Sequence, residues 1–164
     1  MKLLVLALAA FAVLTSCSTT EPTELTAEQI TIEELTKTPG YAWFNAETNA
    51  YTPDPAAVAE VRSAMEAAPD RRVCVFVKPS CTCRGTQRLF PQVMKTLMAA
   101  GVSMNRIEVW SMRAATDRHR YESMFTLTEL PSIFVLENGT MRSKVSDRDY
   151  DETNAASLIA NAVK

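Results

Sequence analysis

Two cysteines separated by a single residue, Cys81 and Cys83, are the side chains of this sequence best suited to chemistry. Two thiols at this spacing can form a disulfide, share a soft metal ion such as Cu(I), or exchange electrons with another protein. They follow the apolar run at residues 73–77 and precede a helical pattern that ends near Gly101. The sequence therefore predicts that the pair lies where a strand gives way to a helix.

The N-terminus carries the pattern of an export signal. Lys2 is followed by a continuous apolar run of twelve residues at positions 3–14. This run is shorter than the about 20 residues that cross a bilayer, so it predicts a signal peptide. The run ends in Leu14-Thr15-Ser16-Cys17, which resembles the bacterial lipobox, whose cysteine is lipidated and becomes the new N-terminus.

The lipobox predicts a signal peptide at residues 1–16 and a lipidation site at Cys17. The alternative is an ordinary secretory signal that is cleaved nearby, with Cys17 incidental. Because Ser18 follows the cysteine, resemblance to enterobacterial sorting favours the periplasmic side of the outer membrane, or the cell membrane where no outer membrane exists. In either case the remaining cysteines face an oxidising compartment.

Two further segments follow the predicted signal. Residues 17–38 are rich in Ser, Thr, Glu and Pro, which is typical of a flexible tether, and about 20 such residues have an r.m.s. span of roughly 25 Å. Within them Ile30, Ile32 and Leu35 predict a short strand or helical turn against the body. Residues 39–164 are predicted to form one domain.

Composition narrows the class of protein. With 164 residues and 47% hydrophobic content, the chain can build one domain with its own core. The net charge is −2 and no block of Lys or Arg occurs, which excludes a nucleic-acid-binding surface. The single histidine, His119, excludes a multi-histidine metal site. Cys74 lies among valines and is predicted to be a buried hydrophobe, and no cofactor is expected.

Hydrophobic spacing predicts the order β-α-β-α-β-α-β-β-α. The predicted strands lie at residues 41–44, 73–78, 104–110, 132–136 and 141–145, and the predicted helices begin at Asp54-Pro55, near Thr86, at Thr116 or Asp117, and at Asp151. Helices between the early strands require parallel crossovers, whereas Asn138-Gly139 predicts an antiparallel hairpin. An α/β fold with a mixed central sheet and helices on both faces follows.

Two separated motifs carry a family resemblance. Residues 76–81, with the sequence FVKPSC, resemble the strand end and first cysteine of thioredoxin. Residues 125–132, with the sequence FTLTELPS, resemble the segment that leads into the cis-proline of that family, and residues 134–139 resemble the hairpin behind it. The chain is thus similar to the thioredoxin-like superfamily over about residues 40–164, and the resemblance implies a three-layer sandwich.

The resemblance also implies a function. Cys81 would be the attacking thiol and Cys83 the resolving thiol, while Leu130 and a cis Pro131 would bind the substrate peptide beside them. The implied activity is thiol–disulfide exchange by a membrane-anchored oxidoreductase, with exported protein thiols and disulfides or a redox partner protein as partners. The family places two residues between its cysteines, whereas only Thr82 intervenes here.

Other interpretations of the pair stay open at the level of sequence. The two thiolates can belong to a copper carrier, for which His119 is the only histidine. They can also form an inert disulfide in a redox-inactive binding module built on the same scaffold. A disulfide that closes so short a loop removes little chain entropy, which weakens the structural interpretation.

Overall fold

The computed structural model describes residues 26–164, so the predicted signal peptide and Cys17 lie outside the described residues. The strands are β1 (Glu28–Ile30), β2 (Arg72–Val77), β3 (Ile107–Ser111), β4 (Ser132–Glu137) and β5 (Thr140–Ser146). The helices are α1 (Ile32–Lys37), α2 (Phe44–Ala50), α3 (Pro55–Ala67), α4 (Phe90–Ala99) and α5 (Ala155–Val163). No helix among these residues is long and apolar enough to cross a membrane.

The strands form one mixed five-stranded sheet in the order β1-β3-β2-β4-β5. β2 and β3 are parallel, as expected from the helical crossover between them, and the remaining pairs are antiparallel. The predicted hairpin between β4 and β5 is present, with Asn138 and Gly139 at φ of 51° and 75°. Two consecutive left-handed residues are what the tightest hairpin turns require. The α/β class and the mixed sheet are therefore confirmed.

The central strand β2 separates two hydrophobic clusters. Val73, Val75 and Val77 point into one cluster, and Cys74 and Phe76 point into the other. All five side chains are fully buried. This explains the continuous apolar run in the sequence. A strand that is covered on both faces has no residues facing solvent, so polar and apolar residues do not alternate along it.

The helices of the described residues all pack on the valine face of β2. Among them, α3 begins as its sequence predicts: the carboxylate of Asp54 accepts hydrogen bonds from the N–H groups of Ala56 and Ala57 at 3.4 and 3.2 Å. Pro55 follows at the first helical position, where its missing N–H costs nothing. This layer therefore contains the amphipathic helices that the sequence pattern predicted.

The opposite face corrects two predictions. Residues 112–131 contain no helix, and their only strand pairing is an isolated bridge between Arg118 and Thr26. The Asp117 carboxylate accepts from the N–H groups of Arg113 and Ala114, which precede it, so it closes a turn and does not start a helix. The helix predicted at Thr116 or Asp117, and helices on both faces of the sheet, were thus wrong.

The N-terminal part of the domain also differs from prediction. The strand predicted at residues 41–44 is wrong, because Pro39–Tyr41 form a 3-10 turn and α2 begins at Phe44. The first strand of the sheet is β1, which lies within the predicted tether and pairs with β3. Ile30 belongs to this strand and Leu35 to α1, so both the strand and the helical turn suggested for this segment form.

Candidate functional site

The sulfur atoms of Cys81 and Cys83 are joined in a disulfide. Their Cα atoms are 5.4 Å apart, within the range of about 4.4–6.8 Å usual for protein disulfides. β2 ends at Val77, four residues before the pair, and helical structure begins at Arg84, immediately after it. Both cysteines are half-buried and Thr82 between them is exposed. The pair therefore lies at the C-terminal end of the central strand, within reach of solvent.

A neighbouring turn fixes the residues that directly precede the cysteines. Ser80 adopts a left-handed φ of 57° and donates its N–H to the carbonyl of Gly40 at 2.9 Å. A Cβ atom on Gly40 would lie only 2.8 Å from Cβ of Pro79, so glycine allows the two turns to touch. The hydroxyl of Tyr41 then anchors this turn to Ser111 at the end of β3, at 2.8 Å.

The helix after the cysteines begins with an unusual turn. Residues Gly85–Leu89 are π-helical, and the N–H of Phe90 bonds to the carbonyl of Gly85. The sequence predicted a helix start near Thr86, and helical structure begins two residues earlier, at Arg84. Pro91 lacks an N–H and would interrupt an α-helical ladder, so a widened turn before it lets the helix start at the cysteines. Such turns occur frequently at functional sites.

Hydrogen bonds tie the cysteine loop to this helix. The N–H of Cys83 donates to the Cys81 sulfur at 3.2 Å. The side-chain amide of Gln87 donates to the carbonyl of Cys81 at 3.1 Å, and its backbone N–H donates to the carbonyl of Cys83 at 3.1 Å. The sulfur atoms therefore lie at the N-terminus of a helix, where the helix dipole favours a thiolate.

Pro131 lies against the same helix. The Leu130–Pro131 peptide bond is cis, as the resemblance implied. A Cβ atom on Gly85 would lie 2.8 Å from Cδ of Pro131, so the proline ring touches the helix two residues after Cys83. Three of the predicted site residues, the two cysteines and Pro131, are thus brought to one end of the sheet.

Two arginines near the cysteines are paired with carboxylates. The Nε atom of Arg84 lies 3.6 Å from Oδ1 of Asp147, and its guanidinium carbon lies 5.3 Å from the centre of the Tyr150 ring. Arg88 lies 3.6 Å from Glu152. Sequence reasoning missed Asp147, because an acidic residue in a polar turn after a strand carries no local signal. Only the tertiary structure brings it against the helix.

The remaining described cysteine, Cys74, is not suited to exchange. It is fully buried in the middle of β2, opposite Phe134. Burial raises the pKa of its thiol to about 12, although a hydrogen bond with Tyr121 acts in the other direction. The group therefore stays protonated near neutral pH, and a protonated thiol is a poor nucleophile.

His119 is part of the aromatic cluster. Its ring centre is 5.0 Å from that of Phe76 and 5.7 Å from that of Phe125, and its Nδ1 accepts the N–H of Tyr121 at 3.3 Å. Residues 26–164 contain no cluster of three or more His, Cys, Asp or Glu side chains able to hold a metal ion. His119 thus forms no such cluster with Cys81 and Cys83.

His119 is expected to make stability depend on pH. Burial lowers the pKa of its imidazole below the usual 6.5, with Glu122 acting in the opposite direction. The unfolded chain therefore binds a proton near pH 6.5 that the folded chain does not yet bind, so stability falls as pH drops through about 6.5. Urea unfolding of the wild type and His119→Asn should show a shallower decline for the variant.

Asparagine is a suitable replacement at position 119, because its side-chain oxygen can accept an N–H two residues ahead, as Nδ1 of the histidine does. The difference between the two stability curves isolates the contribution of the side chain at position 119. Parallel stability curves for the two proteins would contradict the prediction.

No protein-family model matches the chain, and no curated protein matches it. Three observations therefore carry a functional assignment. They are the half-buried disulfide at the end of β2, the helix that begins directly after it, and Pro131 against that helix.

Proposed function

We propose that this chain is a membrane-anchored, thioredoxin-like thiol–disulfide oxidoreductase that exchanges disulfides with exported proteins. The observation that carries the proposal is the solvent-accessible Cys81–Cys83 disulfide between the central strand and a helix N-terminus. A disulfide that only stabilises the fold gains nothing from a position at a helix N-terminus. A redox pair gains from it, because the helix dipole stabilises the attacking thiolate.

The arrangement of the sheet supports the thioredoxin-like part of the proposal. The cysteines follow the central strand β2, whose parallel neighbour β3 is reached through the helix that begins at Arg84. Pro131 directly precedes β4, which pairs antiparallel with β2. Two features are distinctive in this chain: β1 runs antiparallel to β3, and an irregular segment covers the aromatic face.

The roles of the cysteines follow from their positions. Cys81 is the attacking thiol, because its sulfur accepts the N–H of Cys83 at the start of the helix. Cys83 is the resolving thiol, which displaces the substrate from Cys81 and restores the disulfide. Leu130 is half-buried beside Pro131 and belongs to the surface that receives the substrate peptide.

The anchoring part of the proposal rests on the sequence. Leu14 to Cys17 has the lipobox pattern behind an apolar run, and several acyl chains hold a protein firmly to a bilayer. Cys17 lies nine residues before Thr26, where the described structure begins. A lipid there would keep the domain at the membrane on the exported side, where disulfides form and persist.

A redox equilibrium tests the proposed function. The purified protein is equilibrated in glutathione buffers from oxidising to reducing, and free thiols are then trapped and counted by mass. We expect Cys81 and Cys83 to pass together between disulfide and dithiol within this range. Cys83→Ser should accumulate a mixed disulfide with glutathione at Cys81, because the resolving thiol is missing.

Cys81→Ser and Cys74→Ala are the matched controls. Cys81→Ser should abolish cycling, whereas Cys74→Ala should leave it unchanged because that thiol is buried. A pair that stays in one redox state across the whole buffer range would refute the proposal. So would cycling that persists in Cys81→Ser.

A further inference from the structure

We propose that Gln87 shifts the redox equilibrium of the Cys81–Cys83 pair toward the disulfide, by holding the backbone of the cysteine loop in the conformation that closes the ring. The inference rests on the proposed function and adds a positioning residue to it. Gln87 belongs to the wide helical turn Gly85–Leu89 that follows the cysteines. Its hydrogen bonds go to the backbone of the loop.

Gln87 is bonded to both cysteines. Its side-chain amide donates to the carbonyl of Cys81 at 3.1 Å, and its backbone N–H donates to the carbonyl of Cys83 at 3.1 Å. Because a carbonyl oxygen only accepts, the NH₂ end of the side chain must face Cys81. Helical side chains lean toward the N-terminus of their helix, so a residue in the first turn can reach back to the loop before it.

The cysteine loop has few other restraints. On its N-terminal side, the N–H of Ser80 donates to the carbonyl of Gly40 at 2.9 Å. Thr82, between the cysteines, is exposed and forms no hydrogen bond with another described residue. The amide of Gln87 is therefore the contact that ties the carbonyl of Cys81 to the body of the domain.

The single-residue spacing makes the position of the Cys81 backbone important. The Cα atoms of the pair are 5.4 Å apart, and protein disulfides usually require about 4.4–6.8 Å. Cys83 is held by the start of the helix, where its carbonyl accepts the N–H of Gln87. When the disulfide is reduced, Cys81 is the side of the ring that can move away. The Gln87 amide restricts this movement.

The hydrogen bond and the disulfide favour each other. The disulfide orders the loop, so the amide of Gln87 finds the carbonyl of Cys81 already in place. In the dithiol, the same hydrogen bond has to order the loop by itself, which costs conformational entropy. The bond is therefore stronger in the oxidised protein, and by reciprocity it stabilises the disulfide relative to the dithiol.

Exchange with glutathione measures this effect. The two protein thiols become one disulfide while one glutathione disulfide becomes two thiols, so two electrons and two protons pass from the protein to glutathione. Gln87→Met removes the donor and keeps the length of the side chain. We expect it to shift the equilibrium constant about fivefold toward the dithiol, the factor for a typical net hydrogen bond, which corresponds to about 20 mV.

Stopped-flow measurement separates loop positioning from an effect on the attacking thiolate. The fully reduced protein is mixed with a symmetrical aryl disulfide that releases a coloured thiolate at each attack. The first release reports attack by Cys81, and the second reports ring closure by Cys83. We expect Gln87→Met to leave the first release within about twofold of wild type and to slow the second about fivefold, because only ring closure needs the ordered loop.

Gln92→Met is the matched control, because it makes the same chemical change further along the helix. The side-chain oxygen of Gln92 accepts the hydroxyl of Tyr150 at 3.0 Å, and Gln92 is only 8% exposed. Its replacement should lower the free energy of unfolding but leave the redox equilibrium constant and both releases within about twofold of wild type. The control thus separates loss of stability from loss of loop positioning.

Urea unfolding of the oxidised and the reduced protein gives an independent value. Gln87→Met should destabilise the oxidised form more than the reduced form. The difference should match the shift in the redox equilibrium, because the unfolded chain lacks this hydrogen bond in both forms. Gln87→Ala removes the same donor without adding an apolar group, so it should shift the redox equilibrium in the same direction.

Each outcome bears on the inference. A redox equilibrium in both Gln87 variants that matches wild type, or that moves toward the disulfide, would overturn it and leave the proposed function intact. Equal slowing of both releases would also overturn it, because Gln87 would then act on the Cys81 thiolate. So would an equal shift in Gln92→Met, which would indicate a general loss of stability. A pair that does not cycle in the wild type would remove the proposed function together with the inference.

Discussion

Replacement of Phe76 by alanine is expected to lower the free energy of unfolding by about 3–5 kcal/mol, the usual cost of truncating a buried phenylalanine. Phe76 is fully buried on β2 and its ring lies at the centre of the aromatic cluster. Five ring centres lie within 6.4 Å of its own, those of Trp110, His119, Tyr121, Phe125 and Phe134. The expected loss is a large part of the about 5–15 kcal/mol typical of a whole domain.

The loss of stability should be greatest in the segment that packs on Phe76. Residues 112–131 have no helix and a single isolated bridge, so aromatic side chains supply much of their attachment to the sheet. We therefore expect residues 112–131 of Phe76→Ala to open at a lower free energy than α3 and α5, which exchange only when the whole domain unfolds. Urea unfolding followed by native-state hydrogen exchange measures both effects.

Val75→Ala is the control for this prediction, because Val75 is equally buried on the opposite face of the same strand. Losing two methyl groups should cost about 2 kcal/mol and should loosen the helical layer, leaving residues 112–131 protected. Equal acceleration of exchange on both faces in both variants would contradict the account of two separate clusters.

Replacement of Arg71 by methionine is expected to cost about 3 kcal/mol, from the loss of hydrogen bonds that a buried charged group makes. Arg71 is only 5% exposed. Its guanidinium donates to the carbonyl of Ala64 at 2.8 Å and to the carbonyl of Val163, and it forms an ion pair with Glu137 at 3.0 Å. One side chain thus joins the ends of α3 and α5 to the end of β4. Methionine preserves the apolar stem but leaves the two carbonyls without this donor.

The next residue provides the control. Arg72 is half-exposed, with one hydrogen bond to the carbonyl of Asn105 at 3.0 Å and a distant approach to Glu108 at 3.9 Å. Arg72→Met should change the free energy of unfolding by no more than about 1 kcal/mol, as for exposed ion pairs. Urea denaturation of both variants decides the matter. Similar losses at positions 71 and 72 would show that the buried carbonyl contacts are not what stabilises the helix ends.

The parts of the fold that were predictable are those with strong local chemistry. The central strand has a continuous β-branched and aromatic run, α3 has Asp54-Pro55 at its start, and the hairpin has Asn138-Gly139. Each of these signals acts over a few neighbouring residues. These elements form without depending on distant tertiary contacts, so their predicted positions agree closely with the structure.

The mispredicted elements depended on distant contacts. Trp43 and Phe44 favour strands by propensity, yet the turn at Pro39 and Gly40 fits against the cysteine loop and leads into a helix. Tyr121 and Phe125 have helical spacing, but they reach the sheet from an irregular segment. The strand β1 has three residues with no internal pattern, so only its pairing with β3 defines it.

The candidate site shows the same division. The two cysteines and Pro131 were identified from residue types and order along the chain. Asp147 and Gly85 were not, because their significance lies in a contact between segments more than sixty residues apart. The wide turn after Cys83 was also missed, since no short sequence pattern distinguishes it from an ordinary helix start.

The register of the sheet has a consequence for where an anchored protein can work. Glu28 pairs with Ser111, and Ser111 pairs with Val77, so the chain enters the sheet at the same end at which β2 delivers the cysteines. The nine residues from Cys17 to Thr26 can extend at most about 30 Å. With Cys17 lipidated, as proposed, the disulfide could reach only a layer a few nanometres deep above the bilayer. Its substrates would then be proteins that emerge from the membrane or lie along it. A soluble protein would have to diffuse to the membrane surface to react.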